Sequence, residues 1–335
     1  MFRHKNILVT GGAGFIGSAF VAQAVARGQH VIVLDALTYA GKRSNLEWIK
    51  PDNYKLVVGN IADGPLVKSL LHEHSIDAVV HFAAESHVDN SITGPAAFIE
   101  TNIVGTYILL EAARAYWNEL AQEKKNDFRF VHVSTDEVYG ALGNSGKFNE
   151  LSAMKPNSPY SASKASSDLL VHAWFATYDL PTIITNCSNN YGPRQYPEKL
   201  IPVTITKAIS GKKLPVYGEG NNIRDWIHVE DHCSGVALAL EKGKSGETYC
   251  FGGNNEITNI ELVRKICGIL DKIRPNKTGT LYESQIEFVK DRLGHDYRYA
   301  IDDNKAEKAL GFKRSHNFAS GLKSTIEWYL THHKR

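Results

Sequence analysis

Short apolar runs alternate with longer stretches of helical periodicity through the first half of the chain. Such runs predict buried strands of a parallel sheet, because a strand that helices cover on both faces is apolar along its length. Strands are predicted at residues 7–10, 30–34, 56–58, 78–82, 128–133 and 181–186. Helices are predicted at residues 18–27, 65–74, 96–117 and 161–178. This order predicts an α/β fold built on a doubly wound parallel sheet.

The first predicted strand runs directly into G-G-A-G-F-I-G, and a helix pattern follows. Glycines at Gly11, Gly14 and Gly17 permit a tight turn and the close approach of the backbone to a pyrophosphate at the helix start. The second strand ends at Asp35, whose carboxylate suits an adenosine ribose and would repel a 2′-phosphate. The pattern therefore predicts a Rossmann fold that binds NAD rather than NADP, although a turn residue at a strand end is the alternative for Asp35.

The fifth predicted strand leads into S-T-D-E-V-Y-G, and Y-S-A-S-K follows about twenty residues later. Tyr160 and Lys164 are four residues apart, which places both side chains on one face of a helix. We expect the cation to lower the pKa of Tyr160, so that Tyr160 can transfer protons while an alcohol is oxidised. Asp136 and Glu137 are adjacent acids at the carboxyl edge of the sheet. If these residues have no catalytic role, Tyr160 and Lys164 would belong to an ordinary capped, exposed helix start. Asp136 and Glu137 would then belong to a solvated turn.

The composition of the chain limits which binding partners and which cellular compartment we expect. The 335-residue chain is 43% hydrophobic and carries a formal net charge of +2, with no long basic run. Nucleic acid and membrane are therefore not expected as partners. No apolar run approaches the ~20 residues of a membrane span, and the run near the N-terminus is too short for a signal peptide. The four cysteines lack C-x-x-C spacing, so we expect reduced thiols and a cytoplasmic protein.

From residue 197 onward the strand and helix alternation weakens, and Pro and Gly recur. We expect an NAD-binding Rossmann domain at residues 1–185 and a smaller, partly interleaved substrate domain at 186–335, closed by amphipathic helices at 304–335. His228 and His232 have i, i+4 spacing, which could suggest a metal. Because no third ligand accompanies them and their order differs from H-E-x-x-H, no metal site is expected.

Several motifs together resemble the extended short-chain dehydrogenase/reductases, in particular the nucleotide-sugar epimerase/dehydratase family. They are T-G-G-A-G-F-I-G, H-F-A-A-E-S-H-V-D, S-T-D-E-V-Y-G, Y-S-A-S-K and N-N-Y-G-P, and the likeness runs from residue 7 to 302. The T-D-E triplet is similar to the dehydratases, since related epimerases carry no adjacent acid pair there. Asn60 and Leu293 depart from the family's usual aspartate and proline, which puts the adenine contacts and the local loop shape in doubt.

The resemblance implies a reaction that forms a 4-keto-6-deoxy sugar from dTDP-glucose in deoxysugar biosynthesis, possible only after carbon 4 is oxidised. Tyr160 would take the 4-hydroxyl proton as hydride moves to NAD, Lys164 would hold the nicotinamide ribose and tune Tyr160, and Thr135 would bond the 4-oxygen. Glu137 would then remove the carbon 5 proton and Asp136 would protonate the departing 6-hydroxyl. An adjacent pair suits elimination, because mutual repulsion keeps one acid protonated and the other ionised.

The resemblance also implies two sets of binding residues. NAD would contact Gly11, Gly14, Phe15, Ile16, Gly17, Asp35, Leu37, Thr38, Asn60, Ile61, Phe82, Ala83, Ala84, Ser86, Thr101, Tyr160, Lys164 and Asn190. The nucleotide sugar would contact Ser86, Thr135, Asn189, Lys199, Leu200, Pro215, Tyr217, Arg224, Asn259, Arg292 and His295. Helices at 96–117 and 161–178 would pair in a homodimer. A 4-epimerase and a non-catalytic NAD-binding scaffold stay open as alternatives, as does the choice between thymidine and uridine nucleotides.

Overall fold

The structure, a computed structural model, describes residues 3–50, 53–277 and 279–332. Its strands are β1 Asn6–Thr10, β2 His30–Asp35, β3 Tyr54–Val58, β4 Ala78–His81, β5 Arg129–Thr135, β6 Thr182–Cys187, β7 Asn189–Tyr191, β8 Leu214–Tyr217, β9 Ile223–His228, β10 Thr248–Phe251, β11 Glu256–Thr258 and β12 Ile286–Val289. Its helices are Phe15–Ala26, Gly64–Glu73, Val88–Thr93, Ala96–Glu119, Gln122–Asp127, Pro159–Tyr178, Leu200–Ile209, Val229–Lys242, Asn259–Ile273, Asn304–Leu310 and Phe318–His332.

Seven strands of the described chain form one parallel sheet in the order β10-β6-β5-β4-β1-β2-β3. The strand order changes direction between β1 and β4, and in such sheets ligands bind at the carboxyl ends of the strands near that point. The predicted Rossmann fold is confirmed. The six predicted strands are also confirmed with small shifts at their ends, whereas β10 was not predicted because residues 248–251 are too short a run to stand out.

Alternate side chains of the central strands reach opposite faces of this sheet, as the period of a strand requires. Ile7 and Val9 lie in one apolar cluster together with side chains of the helices Phe15–Ala26 and Val229–Lys242. Leu8 lies in a second cluster, together with side chains of the helices Gly64–Glu73, Ala96–Glu119 and Pro159–Tyr178. The large sheet is therefore covered on both faces, which leaves its carboxyl edge as the place for a site.

The second half of the chain contributes to both parts of the molecule. The strands β7, β9 and β11 form a three-stranded sheet, and β8 pairs with β12. A third apolar cluster joins these strands to the helices Leu200–Ile209, Asn259–Ile273 and Phe318–His332. Between them, β10 returns to the large sheet as the neighbour of β6. The domain boundary at residue 185 remains a prediction, and residues 333–335 of the predicted helical tail lie outside the described residues.

The helix Ala96–Glu119, here called the long helix, contains a π-helical segment at Ile99–Gly105. By length and composition alone it could cross a membrane, which corrects the expectation that no stretch comes near this limit. In the fold, 44% of its most apolar window is buried, and Leu109, Leu110 and Ala113 pack in the second apolar cluster. Because helices that form part of a protein core pass the same test, this length is weak evidence for a membrane.

Candidate active site

A cavity of about 1000 Å³ lies at the carboxyl ends of the large sheet and continues between the sheet and the smaller strands β8 and β9. The residues that line it include all the predicted catalytic, cofactor-binding and substrate-binding residues except Leu37 and Asp136. These residues come from positions between 11 and 295 in the sequence. The fold therefore brings together side chains that were proposed from separate motifs.

The glycine-rich loop after β1 is packed so tightly that larger residues would not fit. Gly11 has φ +68°, and a Cβ there would lie 2.5 Å from the backbone nitrogen of Ala83. A Cβ on Gly17 would lie 2.2 Å from the carbonyl oxygen of Gly11. The loop leads into the helix Phe15–Ala26, whose first amide groups are free to bind a phosphate. This is the close backbone cradle that the glycine spacing predicts.

Asp35 at the end of β2 is held rigidly beside this loop. Its Oδ2 accepts a hydrogen bond from the Ala13 amide at 2.9 Å, and its Oδ1 accepts one from the Leu37 amide at 2.8 Å. Each carboxylate oxygen keeps a further lone pair for a ribose hydroxyl. Leu37 has φ +50°, packs against the first apolar cluster and does not line the cavity, so its contact with NAD stays a prediction.

Asn102 in the π-helical segment fixes the loop after β4. Its Oδ1 accepts the Glu85 amide at 2.8 Å, and its Nδ2 donates to the Glu85 carbonyl at 3.0 Å and to Ser163 Oγ at 2.8 Å. The side chain thus joins the loop that carries Ser86 to the helix that carries Tyr160. Its neighbour Thr101 lines the cavity, as predicted.

The helix Pro159–Tyr178, here called the Tyr160 helix, begins with a capping box between Ser158 and Ser161. The cap and the proline at the first helical position fix the start of the helix, and so the position of Tyr160 one residue later. Lys164 lies four residues further on and is buried. Its Nζ donates to the Val133 carbonyl at 2.9 Å and lies 3.3 Å from Nε2 of His132.

The expected lowering of the Tyr160 pKa is wrong for this structure. Burial raises the pKa of Tyr160 well above 10, and Glu137 and Cys187 raise it further. Lys164 does not offset this, since its ammonium group is directed to the backbone of β5 and to His132. The i, i+4 spacing put both groups on one helix face but did not indicate the depth at which they lie.

The acid pair lies in a short 3-10 turn, Asp136–Tyr139, directly after β5. Asp136 is buried below the cavity lining, where Thr135 Oγ1 donates to its Oδ1 at 3.3 Å. Its pKa is raised well above 3.8, first by burial and then by Glu137 and Asp225. The Glu137 pKa is raised by burial but held down by nearby cations, Arg224, Lys199 and Arg292. The environments of the two acids therefore favour a protonated Asp136 and a more readily ionised Glu137.

The other end of the cavity carries the predicted substrate residues. Lys199 Nζ donates to the Ser86 carbonyl at 3.0 Å. Arg292 forms an ion pair with Asp89 at 3.2 Å and lies 5.6 Å from the centre of the half-exposed Tyr217 ring. Tyr217 and His295 meet edge to face. The arrangement offers a flat aromatic surface beside a cation, which suits a nucleobase and a phosphate.

Arg224 is more deeply buried than its predicted role requires. Its guanidinium lies 4.4 Å from the centre of the Tyr299 ring and donates to the carbonyls of Ile223, Tyr297 and Asp296 at 2.8, 3.4 and 3.0 Å. It still lines the cavity. Its remaining N–H groups are those available to a diphosphate.

His228 and His232, which have i, i+4 spacing in the sequence, contact different neighbours. His232 Nδ1 lies 2.9 Å from Asn190 Oδ1, and His228 Nδ1 accepts the Glu230 amide at 3.3 Å. His228 instead groups with Glu230 and the distant His316, whose donor atoms lie within 4.8 Å. His228 Nδ1 accepts the hydrogen bond of the Glu230 amide, so the lone pair of this nitrogen is occupied. His316 is paired with Glu230 at 3.2 Å and Asp231 at 3.0 Å.

Several residues that line the cavity were not predicted. Tyr39 Oη lies 3.3 Å from Ser86 Oγ, and Glu198 pairs with His87 at 3.6 Å. Tyr299 also lines the cavity, as does Tyr196, whose ring meets the ring of Tyr39 edge to face. Glu198 is the sequence neighbour of the predicted substrate residue Lys199, so that prediction could have indicated it. Tyr39, Tyr196 and Tyr299 belong to loops without a periodic pattern.

The two departures from the family pattern have local effects. Asn60 lines the cavity, and its Oδ1 accepts the Ala62 amide at 2.9 Å, so it supports the loop as an aspartate would. Leu293 is 72% exposed and does not line the cavity. Neither residue disturbs the acid pair.

The cavity fits NAD and a nucleotide sugar in the chemistry of its donors and acceptors. The glycine loop and Asp35 match a pyrophosphate and a ribose, and the buried Oδ1 atoms of Asn189 and Asn259 have no hydrogen-bond partner among the described residues. A bound ligand would satisfy them, since buried polar atoms are normally paired. The site can therefore hold a cofactor against Tyr160 and present a sugar to the acid pair.

Comparisons with known proteins agree with this arrangement. Residues 8–325 match the family model described as GDP-mannose 4,6 dehydratase. The chain is 57% identical over 325 residues to the dTDP-glucose 4,6-dehydratase of Xanthomonas campestris pv. campestris (strain B100), covering 97% of this chain and 93% of that protein. It is 55% identical over 340 residues to dTDP-glucose 4,6-dehydratase 1 of Escherichia coli (strain K12), covering 98% and 94%. The structure of DesIV, a dTDP-glucose 4,6-dehydratase from Streptomyces venezuelae with NAD and dTDP bound, superposes with a TM-score of 0.88 at 48% identity, covering 98% of this chain and 97% of that one.

Proposed function

The chain belongs to the family described as GDP-mannose 4,6 dehydratase, and on that premise we infer that it converts dTDP-glucose to dTDP-4-keto-6-deoxyglucose. It is a hydro-lyase with NAD as its cofactor, and its product belongs to deoxysugar biosynthesis. One observation carries the function within this fold. An adjacent acid pair, with Asp136 held protonated and Glu137 surrounded by cations, lies close enough to Tyr160 to raise its pKa.

Bound NAD supplies the site with an acceptor for hydride from carbon 4, which is returned later to carbon 6. Tyr160 takes the proton of the 4-hydroxyl, and Thr135 bonds the same oxygen. In the structure Tyr160 is buried with a raised pKa, so it needs positive charge to act as a base. An oxidised nicotinamide ring would supply that charge, and Lys164 would hold the ribose that places the ring beside Tyr160.

Elimination of water uses the two acids in opposite protonation states. Glu137 takes the carbon 5 proton, which the ketone at carbon 4 makes acidic, and Asp136 gives its proton to the departing 6-hydroxyl. The buried position of Asp136 and the three cations around Glu137 support these roles. When hydride returns to carbon 6, Glu137 gives a proton back to carbon 5. Over one turnover Tyr160 therefore gains a proton and Asp136 loses one, so the site is reset by the net movement of one proton from Tyr160 to Asp136.

The nucleotide part of the substrate would occupy the far end of the cavity. Tyr217 would stack on the base, with Pro215 beside it, and Arg224, Arg292 and Lys199 would contact the diphosphate. Asn259, His295 and Leu200 complete the lining there, and Asn189 lies nearer the sugar. These contacts are supported by the position of each side chain at one cavity and by the ligands bound to DesIV.

The two alternatives are less well supported. A 4-epimerase needs Tyr160 and Lys164 but gives no role to a buried, protonated Asp136 next to Glu137. A scaffold that only binds NAD gives no role to the acids, to Tyr160 or to the cations at the far end of the cavity. The named relatives are dehydratases over nearly their full lengths.

We propose that the protein is a cytoplasmic homodimer. The long helix and the Tyr160 helix pack side by side, and their outer faces expose Tyr107, Leu169 and Tyr178 by 46%, 59% and 43%. Large apolar side chains exposed on two neighbouring helices are typical of a surface that is buried in an interface. Leu169→Glu should give monomers in light scattering, whereas Leu151→Glu, at a 93% exposed position elsewhere, should not. A dimeric Leu169→Glu would contradict this interface. The free cysteines in the described chain support a reducing compartment.

Incubation with dTDP-glucose in deuterated water, followed by mass spectrometry of the sugar nucleotide, tests the function. Loss of water together with one solvent deuteron at carbon 5 is the expected result. Interconversion to a galactose stereoisomer without a change in mass would establish the epimerase instead. Uridine diphosphate glucose, offered in competition, reports the preference for the base.

A further inference from the structure

Asp168 is a fully buried carboxylate that no step of the mechanism uses. It lies one helical turn beyond Lys164 on the Tyr160 helix. Its Oδ2 accepts hydrogen bonds from Ser134 Oγ at 2.9 Å and from Asn186 Nδ2 at 3.2 Å, and its Oδ1 lies 3.2 Å from His132 Nε2. It does not line the cavity, so neither substrate nor cofactor reaches it. A buried charge is costly unless it is paired, which calls for an explanation of its presence.

Lys164 is the cation whose charge acts on this carboxylate. The same ring nitrogen of His132 that lies 3.2 Å from Asp168 lies 3.3 Å from Lys164 Nζ. Burial lowers the pKa of Lys164 to about 8, and the Asp168 charge acts in the opposite direction. Burial raises the pKa of Asp168 to about 6, and Lys164 is the first influence that holds it down. The two groups therefore stabilise each other's charged forms by the interaction of their charges, with the His132 ring between them.

The other titratable groups that face Lys164 are neutral. His132 on β5 and His81 on β4 have pKa values lowered well below 6.5 by burial. The thiol of Cys187 on β6 and the phenol of Tyr160 have pKa values raised by burial. Among the described residues around Lys164, this leaves Asp168 as the ionised counter-charge at neutral pH.

We propose that Asp168 is a positioning residue for the reaction, the fixed anion that keeps Lys164 in its ammonium form behind Tyr160. The proposal rests on the proposed function, since that is where Lys164 acts. Ser134 and Asn186 hold the carboxylate in place. His132, which is neutral, spaces the two charges so that the ammonium keeps its bond to the Val133 carbonyl. A merely structural Asp168 would satisfy Ser134 and Asn186 without affecting Lys164.

The first test measures Lys164 itself in the full-length chain without added cofactor. Acetic anhydride reacts only with the neutral amine, so mass spectrometry of the Lys164 peptide over a range of pH gives the midpoint of its ionisation. In Asp168→Asn the midpoint should fall by about one pH unit or more, a roughly tenfold change in the neutral fraction. Asp168→Glu, which keeps the charge, should restore most of it. Asp179→Asn, the same change at an exposed position after the same helix, should leave it unchanged.

The second test follows formation of the reduced cofactor in a single turnover of the holoenzyme. The alkaline limb of its pH profile should move down in Asp168→Asn by the same amount as the labelling midpoint, and recover in Asp168→Glu. An unchanged Lys164 midpoint in Asp168→Asn overturns the proposal, whatever happens to the rate. If that variant does not fold, the wild-type chain decides, because a Lys164 midpoint below neutral pH would show that no counter-charge acts. A wild-type enzyme that does not convert dTDP-glucose would refute the function, while the labelling comparison would still test Asp168.

Discussion

Replacing Asp136 with asparagine tests whether this residue is the acid of the elimination step. Asparagine has nearly the same shape and, like a protonated carboxyl group, carries no charge. Burial and the neighbouring Glu137 keep Asp136 protonated, so the substitution should not disturb the charge balance of the site at neutral pH. It removes only the proton that would be given to the 6-hydroxyl. The oxidation step at Tyr160 should therefore survive.

The expected loss of turnover follows from the rate enhancement that a positioned general acid provides. General acid catalysis contributes about 10²–10⁴ in rate, which corresponds to roughly 3–5 kcal/mol of transition-state stabilisation. The free energy of unfolding should respond differently from turnover: that of the variant should rise relative to wild type as the pH rises. A carboxyl whose pKa is raised in the fold stabilises the protein below its ordinary range, and that stability is lost as the pH rises toward the folded value, by about 1.4 kcal/mol per pH unit. An asparagine at this position does not titrate, so it adds no such pH dependence to the free energy of unfolding.

Two measurements check this. Single-turnover absorbance should show the reduced nicotinamide forming at a near-normal rate and then persisting, because the keto sugar cannot lose water. Urea unfolding at several pH values should show the free energy of unfolding of the variant rising relative to wild type with pH. Asp63→Asn, a helix cap at which asparagine serves as well, is the control for the change of acid to amide.

Either of two results would refute the reasoning. Turnover within about threefold of wild type would show that Asp136 is not the acid, because the loss expected of one is about a hundredfold or more. A difference in unfolding free energy that does not vary with pH would show that Asp136 is not held protonated in the fold.

Further predictions concern the two ends of the cavity. Gly17→Ala should yield protein that retains little NAD, because the added Cβ would lie 2.2 Å from the carbonyl oxygen of Gly11; the nucleotide released on denaturation measures this, and full occupancy would contradict the cradle. Tyr217→Ala should weaken dTDP binding by roughly 1–3 kcal/mol, the value of stacking on one base, when measured by calorimetry. Tyr297→Ala, a similarly exposed tyrosine that does not line the cavity, should have no such effect.

The parts of the fold and site that could be predicted from the sequence are those formed by residues close together along the chain. The apolar run at β1, the glycines after it and Asp35 after β2 are linked by local geometry, so their joint role could be inferred directly. The spacing of Tyr160 and Lys164 likewise required only the period of a helix. Elements such as β10 could not be predicted, because a four-residue run is recognised as a strand only when β6 is beside it.

The depth of a side chain could not be read from its spacing, and this explains the errors in the site. Tyr160 shows a raised pKa because it is buried, and Asp136 lies under the lining rather than on it. Leu37 packs against the first apolar cluster from a backbone with a positive φ, which its position in the sequence did not indicate. His316 stacks on His228, from which it is distant in the sequence. Likewise, His132 on β5 lies between Asp168 and Lys164 of the Tyr160 helix, which the sequence did not indicate.

The return of β10 to the large sheet has a consequence for how the chain is made. Synthesis proceeds from the N-terminus, so β6 leaves the ribosome about sixty residues before the strand that covers its outer edge. During that interval β6 exposes unpaired amide and carbonyl groups, a surface on which other chains can add. A nascent chain halted in the substrate-binding segment is thus the form most prone to aggregate. A lower concentration of nascent chains, or a chaperone that covers the exposed edge, should therefore improve the yield of folded protein.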